Sequence, residues 1–196
     1  TSPPDSGNKD VVLKEVECLN GLADAINVTD GAGAKSHMSA LATAAILAQN
    51  GIEPILQFTT RDRNRIAIQG DLLGGWALEI PNILCLYGDE VKGGDQPETK
   101  EVRDLDTIGL LKTAHEIKIN KMYPSGRKIS DAPEFFIGGA DTPFKINNDF
   151  DGSNLRKKID AGVEFFQTQY AFDEDILKNY MLKLKDLGIT EKAYFI

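Results

Sequence analysis

Five short polar clusters carry most of the chemistry this sequence can offer: Thr29-Asp30, Gln57 with Thr59 and Thr60, Gly88-Asp89, Gly139-Ala140-Asp141 and Thr168-Gln169-Tyr170. Each ends a short apolar run and precedes a helical pattern, so each sits where a buried strand opens to solvent. Together they supply hydroxyls, amides and carboxylates, with small residues that let a flat ligand approach the backbone. No histidine or thiol is among them, which leaves a nucleophilic triad without its base. His37 and His115 stand alone on helical stretches, without a second ligand at i+3 or i+4, and Cys18 and Cys85 are far apart; no metal site is expected. A site of this make-up binds and polarises, so a cofactor has to carry the bond-making.

Alternating helices and strands must position these clusters. Val12, Val16, Leu19 and Ala23 fall at i, i+4, i+7 and i+11 and predict an amphipathic helix over 10–24. "AINVTD" reads as a strand, "KSHMSALATAAILAQNG" as an Ala-rich helix closed by Gly51, and "IEPILQFTT" as the next strand. The pattern repeats: a helix over 61–79, a strand over 82–88, a helix over 105–119, the strand "EFFIGGA", a helix over 155–161, the strand "VEFFQTQY", a helix over 173–187 and the strand "KAYFI". Strand starts recur at about 28 to 30 residues, with one longer gap, the period of a βα unit. "NILCLYG" and "FFIGG" are apolar at nearly every position, as parallel strands buried on both faces are. Six strands would satisfy an open doubly wound sheet. Two features favour an α/β fold of the (β/α)8 TIM barrel type: "TSPPDSG" enters a helix where a strand should precede it, and the chain stops mid-strand. The expectation is one barrel domain over 1–196, lacking its first strand and closing end, with ligands at the C-terminal ends of the strands.

Composition bounds the partners. With 22 Lys and Arg against 30 Asp and Glu, a net charge of −8 excludes the basic footprint of a nucleic-acid or polybasic membrane binder. No apolar run reaches the roughly 20 residues of a membrane span, and the polar start lacks a signal-peptide layout. Cys18 and Cys85 read as small buried hydrophobes, and a cytoplasmic setting is expected. "DGAGAKS", Asp30 to Ser36, fails the phosphate-loop spacing because one residue separates its glycines; a Gly-rich helix start can still receive a phosphate on its backbone N–H groups. Asn27-Val28-Thr29 matches a glycosylation sequon but lies in a strand and is discounted. Arg61-Asp62-Arg63-Asn64-Arg65 reads as a solvated or salt-bridged first helical turn.

Three separated elements in order, residues 24–91, "GGDQPETKEVRDLDTIGLL" and "LRKKIDAGVEFFQTQYAFD", closely resemble the flavin-dependent methylenetetrahydrofolate reductases of bacterial type. The resemblance covers nearly the whole chain and implies the barrel fold. It implies that NAD(P)H or another donor reduces a non-covalent FAD at the barrel mouth. A hydride then passes to methylenetetrahydrofolate, giving 5-methyltetrahydrofolate for one-carbon metabolism and methionine biosynthesis. Asp89 matches the aspartate of the family's "GD" motif, which stabilises the cationic 5-iminium form of the folate; Gln169 matches the "TQ" glutamine that orients the pterin, with Tyr170 beside it. Flavin-contacting positions fall on or beside Thr29, Gln57, Thr59, Gly88, Asp89, Asp106, Gly139, Ala140, Asp151 and Lys158. Lys158 is the cation among them and the expected partner of the diphosphate. Asp106 and Asp151 read equally as helix first-turn acids.

Departures from the pattern keep a second reading open. The family's general-acid glutamate precedes a Pro-Pro pair, here Pro3-Pro4, and would lie before Thr1. Gln57 stands where better-known bacterial members have a histidine near the flavin, and Arg103 replaces an aromatic residue. A ferredoxin or partner-subunit donor is compatible with these changes, and a homo-oligomer or hetero-complex is expected. The alternative reading is a non-catalytic or corrinoid-associated folate-binding subunit, or a pterin-binding methyltransferase barrel.

Overall fold

The computed structural model describes residues 1–147 and 149–196. Six strands, β1 (Ile26–Val28), β2 (Pro54–Thr59), β3 (Asn82–Leu86), β4 (Phe136–Asp141), β5 (Phe165–Thr168) and β6 (Tyr194–Phe195), alternate with six α-helices. The helices are α1 (Lys9–Val16), α2 (Ala40–Gln49), α3 (Arg65–Ala77), α4 (Thr107–Asn120), α5 (Ser153–Asp160) and α6 (Glu174–Asp186). All strands are parallel, and their order in the sheet is their order in the chain. Each crossover therefore returns to the adjacent strand, the winding of a barrel wall rather than of a doubly wound sheet. Thr1 extends the β1 edge: its nitrogen donates to the Asn27 carbonyl at 2.5 Å, and Thr29 N–H donates to the Thr1 carbonyl at 3.0 Å, the parallel pattern opposite Val28.

Strand alternation divides the apolar residues between two faces. Val28, Leu56, Phe58, Ile83, Cys85, Ile137 and Phe166 pack outward against Val12, Leu47, Ile68, Leu72, Leu110 and Leu184 of the helices, forming the main core. Ile55, Leu84 and Phe165 point inward, with Ala25 and Leu86, and form a second, smaller cluster. Two apolar faces explain the nearly continuous hydrophobic strands. They also show that the sheet curls: Asn27 on β1 donates a side-chain hydrogen bond to Gln167 on β5. Four spacings would put those strands about 19 Å apart in a flat sheet. The fold is a parallel α/β half-barrel, a curled sheet of six strands among the described residues.

Helix starts differ from the sequence expectation because capping side chains, not polarity, set them. α2 begins at Ala40 behind Ser39, whose Oγ accepts from Ala42 N–H at 3.3 Å, so Lys35–Met38 stays outside it. α3 begins at Arg65 behind Asn64, whose Oδ1 accepts from both Ile66 and Ala67 N–H at 3.0 Å. α1 ends at Val16 and tightens into a 3-10 turn over Glu17–Leu19. That turn brings Cys18 to the surface, whereas Cys85 is buried as expected, its thiol pushed up to about 12 by desolvation. No helix among the described residues is long and apolar enough to cross a membrane.

The inner cluster requires glycine at 138. Gly138 pairs with Phe165 across β4 and β5, and a Cβ there would collide with the Phe165 ring. Phe165 is held from the other side by stacking on Phe136, ring centroids 4.9 Å apart. Gly138→Ala is therefore expected to lower unfolding stability by about 2 kcal/mol through overpacking. Urea denaturation measures it, and a change indistinguishable from zero would contradict this packing.

Candidate functional site

A cavity of about 500 Å3 opens at the C-terminal ends of β1 to β5. Its walls are Thr29, Asp30 and Ala32 after β1; Gln57 and Thr59 of β2; Leu84, Leu86 and Tyr87-Gly88-Asp89 at the exit of β3; Ala140 of β4; and Gln167 to Tyr170 at the exit of β5, with Asn27 and Thr1 completing the lining. Beneath lies the inner apolar cluster, so the floor is Leu84 under a layer of three amides, Asn27, Gln57 and Gln167. Gln57 Nε2 donates to Asn27 Oδ1 at 2.9 Å, Asn27 Nδ2 donates to Gln167 Oε1, and Gln57 Oε1 accepts from Asp30 N–H at 3.4 Å. Thr29 Oγ1, at the rim, is buried with no hydrogen-bond partner among the described residues.

The residues expected to form the site divide into two groups. Thr29, Gln57, Thr59, Gly88, Asp89, Ala140, Gln169 and Tyr170 come together around this cavity. Asp106, Gly139, Asp151 and Lys158 do not line it. Asp106 caps α4, accepting from Gly109 N–H at 2.6 Å. Asp151 is exposed just before α5, where the Ser153 N–H bond at 2.8 Å holds its carboxyl below the usual range. Gly139 alternates outward, toward Val163. Lys158 on α5 is half-buried and donates to the Ala140 carbonyl at 2.5 Å behind the wall; desolvation lowers its pKa, opposed by nearby Asp141. Gly88 also has a different reason from the one the sequence suggests. Its φ of +86° is left-handed, and a Cβ would press on Thr59 and Arg61 at 3.1 Å, so glycine serves the turn itself.

Asp89 is held where β3 ends. Its Oδ2 accepts from Gly33 N–H at 2.7 Å, so the Gly-rich "DGAGAKS" stretch, a loop with a 3-10 turn over Ala32–Ala34, directs an amide at a carboxylate of this chain. Two arginines hold the Asp89 peptide from behind. Arg61 is buried, forks onto Asp62 at 2.8 and 2.7 Å, and donates through Nη1 to the carbonyls of Gly31 (3.0 Å) and Asp89 (3.3 Å). Arg103 lies 3.8 Å over the Tyr87 ring and donates to the carbonyls of Tyr87 (2.8 Å), Gly88 (3.3 Å) and Asp89 (3.4 Å). Glu101 binds Arg103 Nε at 2.5 Å and Val91 N–H at 3.0 Å; chiefly through Arg103, its carboxyl is held down at about 2.

A partly buried ion pair fixes the neighbouring exit. Asp30 accepts from Thr59 N–H and Oγ1, both at 2.9 Å, and from Arg63 Nη1 at 2.6 Å. Arg63 also reaches Asp71 at 3.1 Å and lies 5.0 Å over Phe58. The charged run 61–65 is thus salt-bridged, but Arg61 and Arg63 precede the helix and tie down the exits of β1, β2 and β3; only Arg65, paired with Asp104 at 2.9 Å, belongs to α3. At the β4 exit, Tyr180 of α6 donates to both oxygens of Asp141 at 3.0 and 2.9 Å, and burial raises the pKa of each. Sequence reasoning left out Asn27 and Gln167. Both lie two residues before a strand-end residue that it named, Thr29 and Gln169, and share that residue's face by the two-residue alternation.

Two outcomes follow. Arg63→Leu leaves the largely desolvated Asp30 without its guanidinium, and is expected to destabilise by about 2 kcal/mol in chemical denaturation; an effect below about 0.5 kcal/mol, the level of an ordinary surface change, would contradict the pairing. The Glu101 contribution is fully present above the usual value of 4.5 and is lost as pH falls toward about 2, because its folded-state value is depressed. Amide exchange at Val91, corrected for intrinsic rates, should stay protected down to about pH 3 and lose that protection in Glu101→Leu, which removes the acceptor, at every pH.

Comparison with known proteins gives the lineage. The sequence profile described as methylenetetrahydrofolate reductase matches residues 2–193. A curated Caenorhabditis elegans protein, named probable methylenetetrahydrofolate reductase (NADPH), is 25% identical over 151 residues, 76% of this chain and 20% of its own. The chain thus spans about a fifth of that relative's length. A solved structure of an uncharacterized Clostridium thermocellum protein, described as binding two copies of 5-methyl-5,6,7,8-tetrahydrofolic acid, superposes with a TM-score of 0.59 at 16% identity, covering 96% of this chain and 60% of the other. At that identity it speaks for the fold alone. With the profile spanning almost every residue, this chain belongs to the methylenetetrahydrofolate reductase family.

Proposed function

We propose that the chain reduces 5,10-methylenetetrahydrofolate to 5-methyltetrahydrofolate with the help of FAD, NAD(P)H or a protein donor supplying the electrons. The observation that carries this reading is the convergence of Asp89 and Gln169, the family's "GD" and "TQ" residues, on one cavity whose floor is apolar below and amide-lined above. The donor set suits a flat heterocycle. Leu84 and Leu86 offer an apolar surface, the amides and Thr59 offer edge hydrogen bonds, and Thr29 Oγ1 has an unused donor and acceptor at the rim. No side chain lining the cavity is cationic, so the ring system of FAD suits this cavity and its diphosphate would be held outside it.

When bound, the flavin supplies hydride transfer. The residues of the chain do the rest. Asp89 presents a carboxylate whose position is fixed by Gly33 N–H and by the two arginines behind its peptide. A pre-positioned negative charge stabilises a cationic folate iminium without reorganising water. Gln169 stands on the same side of the cavity as Tyr170 and orients the pterin by its amide. The curated relative's name includes NADPH, which supports a nicotinamide donor.

A second reading is folate binding without redox chemistry. The folate-bound Clostridium thermocellum structure shares the fold, and a lining without a cationic side chain favours a ligand held mainly by its ring. The two half-reactions discriminate. In anaerobic stopped-flow measurements Asp89→Asn should slow flavin reoxidation by methylenetetrahydrofolate about a hundredfold and leave flavin reduction by the donor within a factor of about three. Equal losses in both half-reactions would contradict the role given to Asp89, and failure of the natural full-length protein to retain or take up FAD would favour the second reading.

A further inference from the structure

The amide layer on the cavity floor has a direction. Asn and Gln side chains can be turned either way round, but a backbone N–H can only donate. Asp30 N–H faces Gln57, so the Gln57 oxygen must be the atom toward it. Its Nε2 then points at Asn27 and must donate, which makes the facing Asn27 atom the oxygen. Asn27 Nδ2 in turn points at Gln167 and donates to Oε1. The last member is left with Nε2 turned away from the row, and among the described residues that nitrogen has no partner. One backbone N–H at β1 thereby fixes the polarity of a side chain on β5, at the other side of the half-barrel.

We infer that Asn27, Gln57 and Gln167 form a polarised amide relay that offers a hydrogen-bond donor at Gln167 to an acceptor, a carbonyl oxygen or unprotonated ring nitrogen, on the pyrimidine edge of the bound heterocycle. Gln167 is thus a specificity-determining residue, and Gln57 acts on specificity through it as a positioning residue. The inference rests on the proposed function for the kind of ligand; pterin and flavin both carry such an edge. A misplaced relay would face that acceptor with a second oxygen, leaving two desolvated acceptors opposed.

Polarity makes the test specific. Gln57→Glu replaces the donating Nε2 by an oxygen. Asp30 N–H can still be accepted, but Asn27 must turn its Nδ2 toward residue 57 and its oxygen toward Gln167, and Gln167 then shows the cavity an oxygen. Dissociation constants for FAD and for 5-methyltetrahydrofolate are measured separately by calorimetry on the full-length protein. Gln167→Leu and Gln57→Glu should each weaken by about tenfold whichever of the two ligands occupies the amide layer. The double variant should be no weaker than the weaker single one, since both changes remove the same donor. A readout without substitution accompanies it: the Asn27 side-chain amide protons should be protected from exchange with or without ligand, and those of Gln167 only with ligand. Losses that multiply in the double variant, or constants within twofold of the unmodified protein, overturn the relay alone. No binding of either compound to the unmodified protein overturns the proposed function and the relay's ligand with it, a result distinct from the other two.

Discussion

One hydrogen bond, from Asn27 on β1 to Gln167 on β5, expresses the constraint on which the molecule depends. A parallel sheet with its helices on one side must cover its other face, and curling is how this sheet does so. Curling brings β1, β2, β3 and β5 close enough for Ala25, Ile55, Leu84, Leu86 and Phe165 to share one inner cluster. Space there is short: Gly138 has no room for a Cβ beneath Phe165. Above that plug the apolar side chains give way to amides, because this layer faces the open mouth and must be satisfied in water as well as with a ligand. The fold thus yields a flat floor, greasy below and hydrogen-bonding above.

The rim is controlled by charge. Arg61, Arg63 and Arg103 are each paired with a carboxylate, Asp62, Asp30 and Glu101, and each also grasps backbone carbonyls of the strand exits. Neutralised in this way, they stiffen the loops while adding little net positive charge to the cavity. Asp89 keeps its carboxylate facing Gly33 N–H rather than an ammonium or guanidinium. That hydrogen-bond partner is neutral, and Arg61, which feels the charge of Asp89, is itself paired with Asp62. An acid that is oriented but not already paired is the kind that would stabilise a cationic folate iminium.

Much of this architecture was legible in the residues. The period of the βα units and the continuous apolar runs gave all six strands in their places, and most of the strand ends that were singled out line one cavity. Helix starts were less legible: the polar runs 35–38 and 61–64 are compatible with helix, and only the Ser39 and Asn64 caps decide where it begins. Lys158 looked like a free cation for a diphosphate because sequence does not show that it lies behind Ala140. Gly88 looked like an opening for a ligand, yet its missing Cβ faces Thr59 and Arg61. Asn27 and Gln167 went unread because a polar residue inside a strand carries meaning only once the inward face is known. Parity with Thr29 and Gln169 would have exposed them.

The account stands most directly on whether this mouth holds a flavin that folate can oxidise. The decisive measurement is the visible spectrum of the natural full-length protein after reconstitution with FAD, reduced without oxygen and then mixed with methylenetetrahydrofolate. The expected result is a bound flavin whose bleached absorbance returns on mixing, with 5-methyltetrahydrofolate formed in equal amount. A protein that binds the folate but takes up no flavin, or a reduced flavin that stays bleached in its presence, would contradict it.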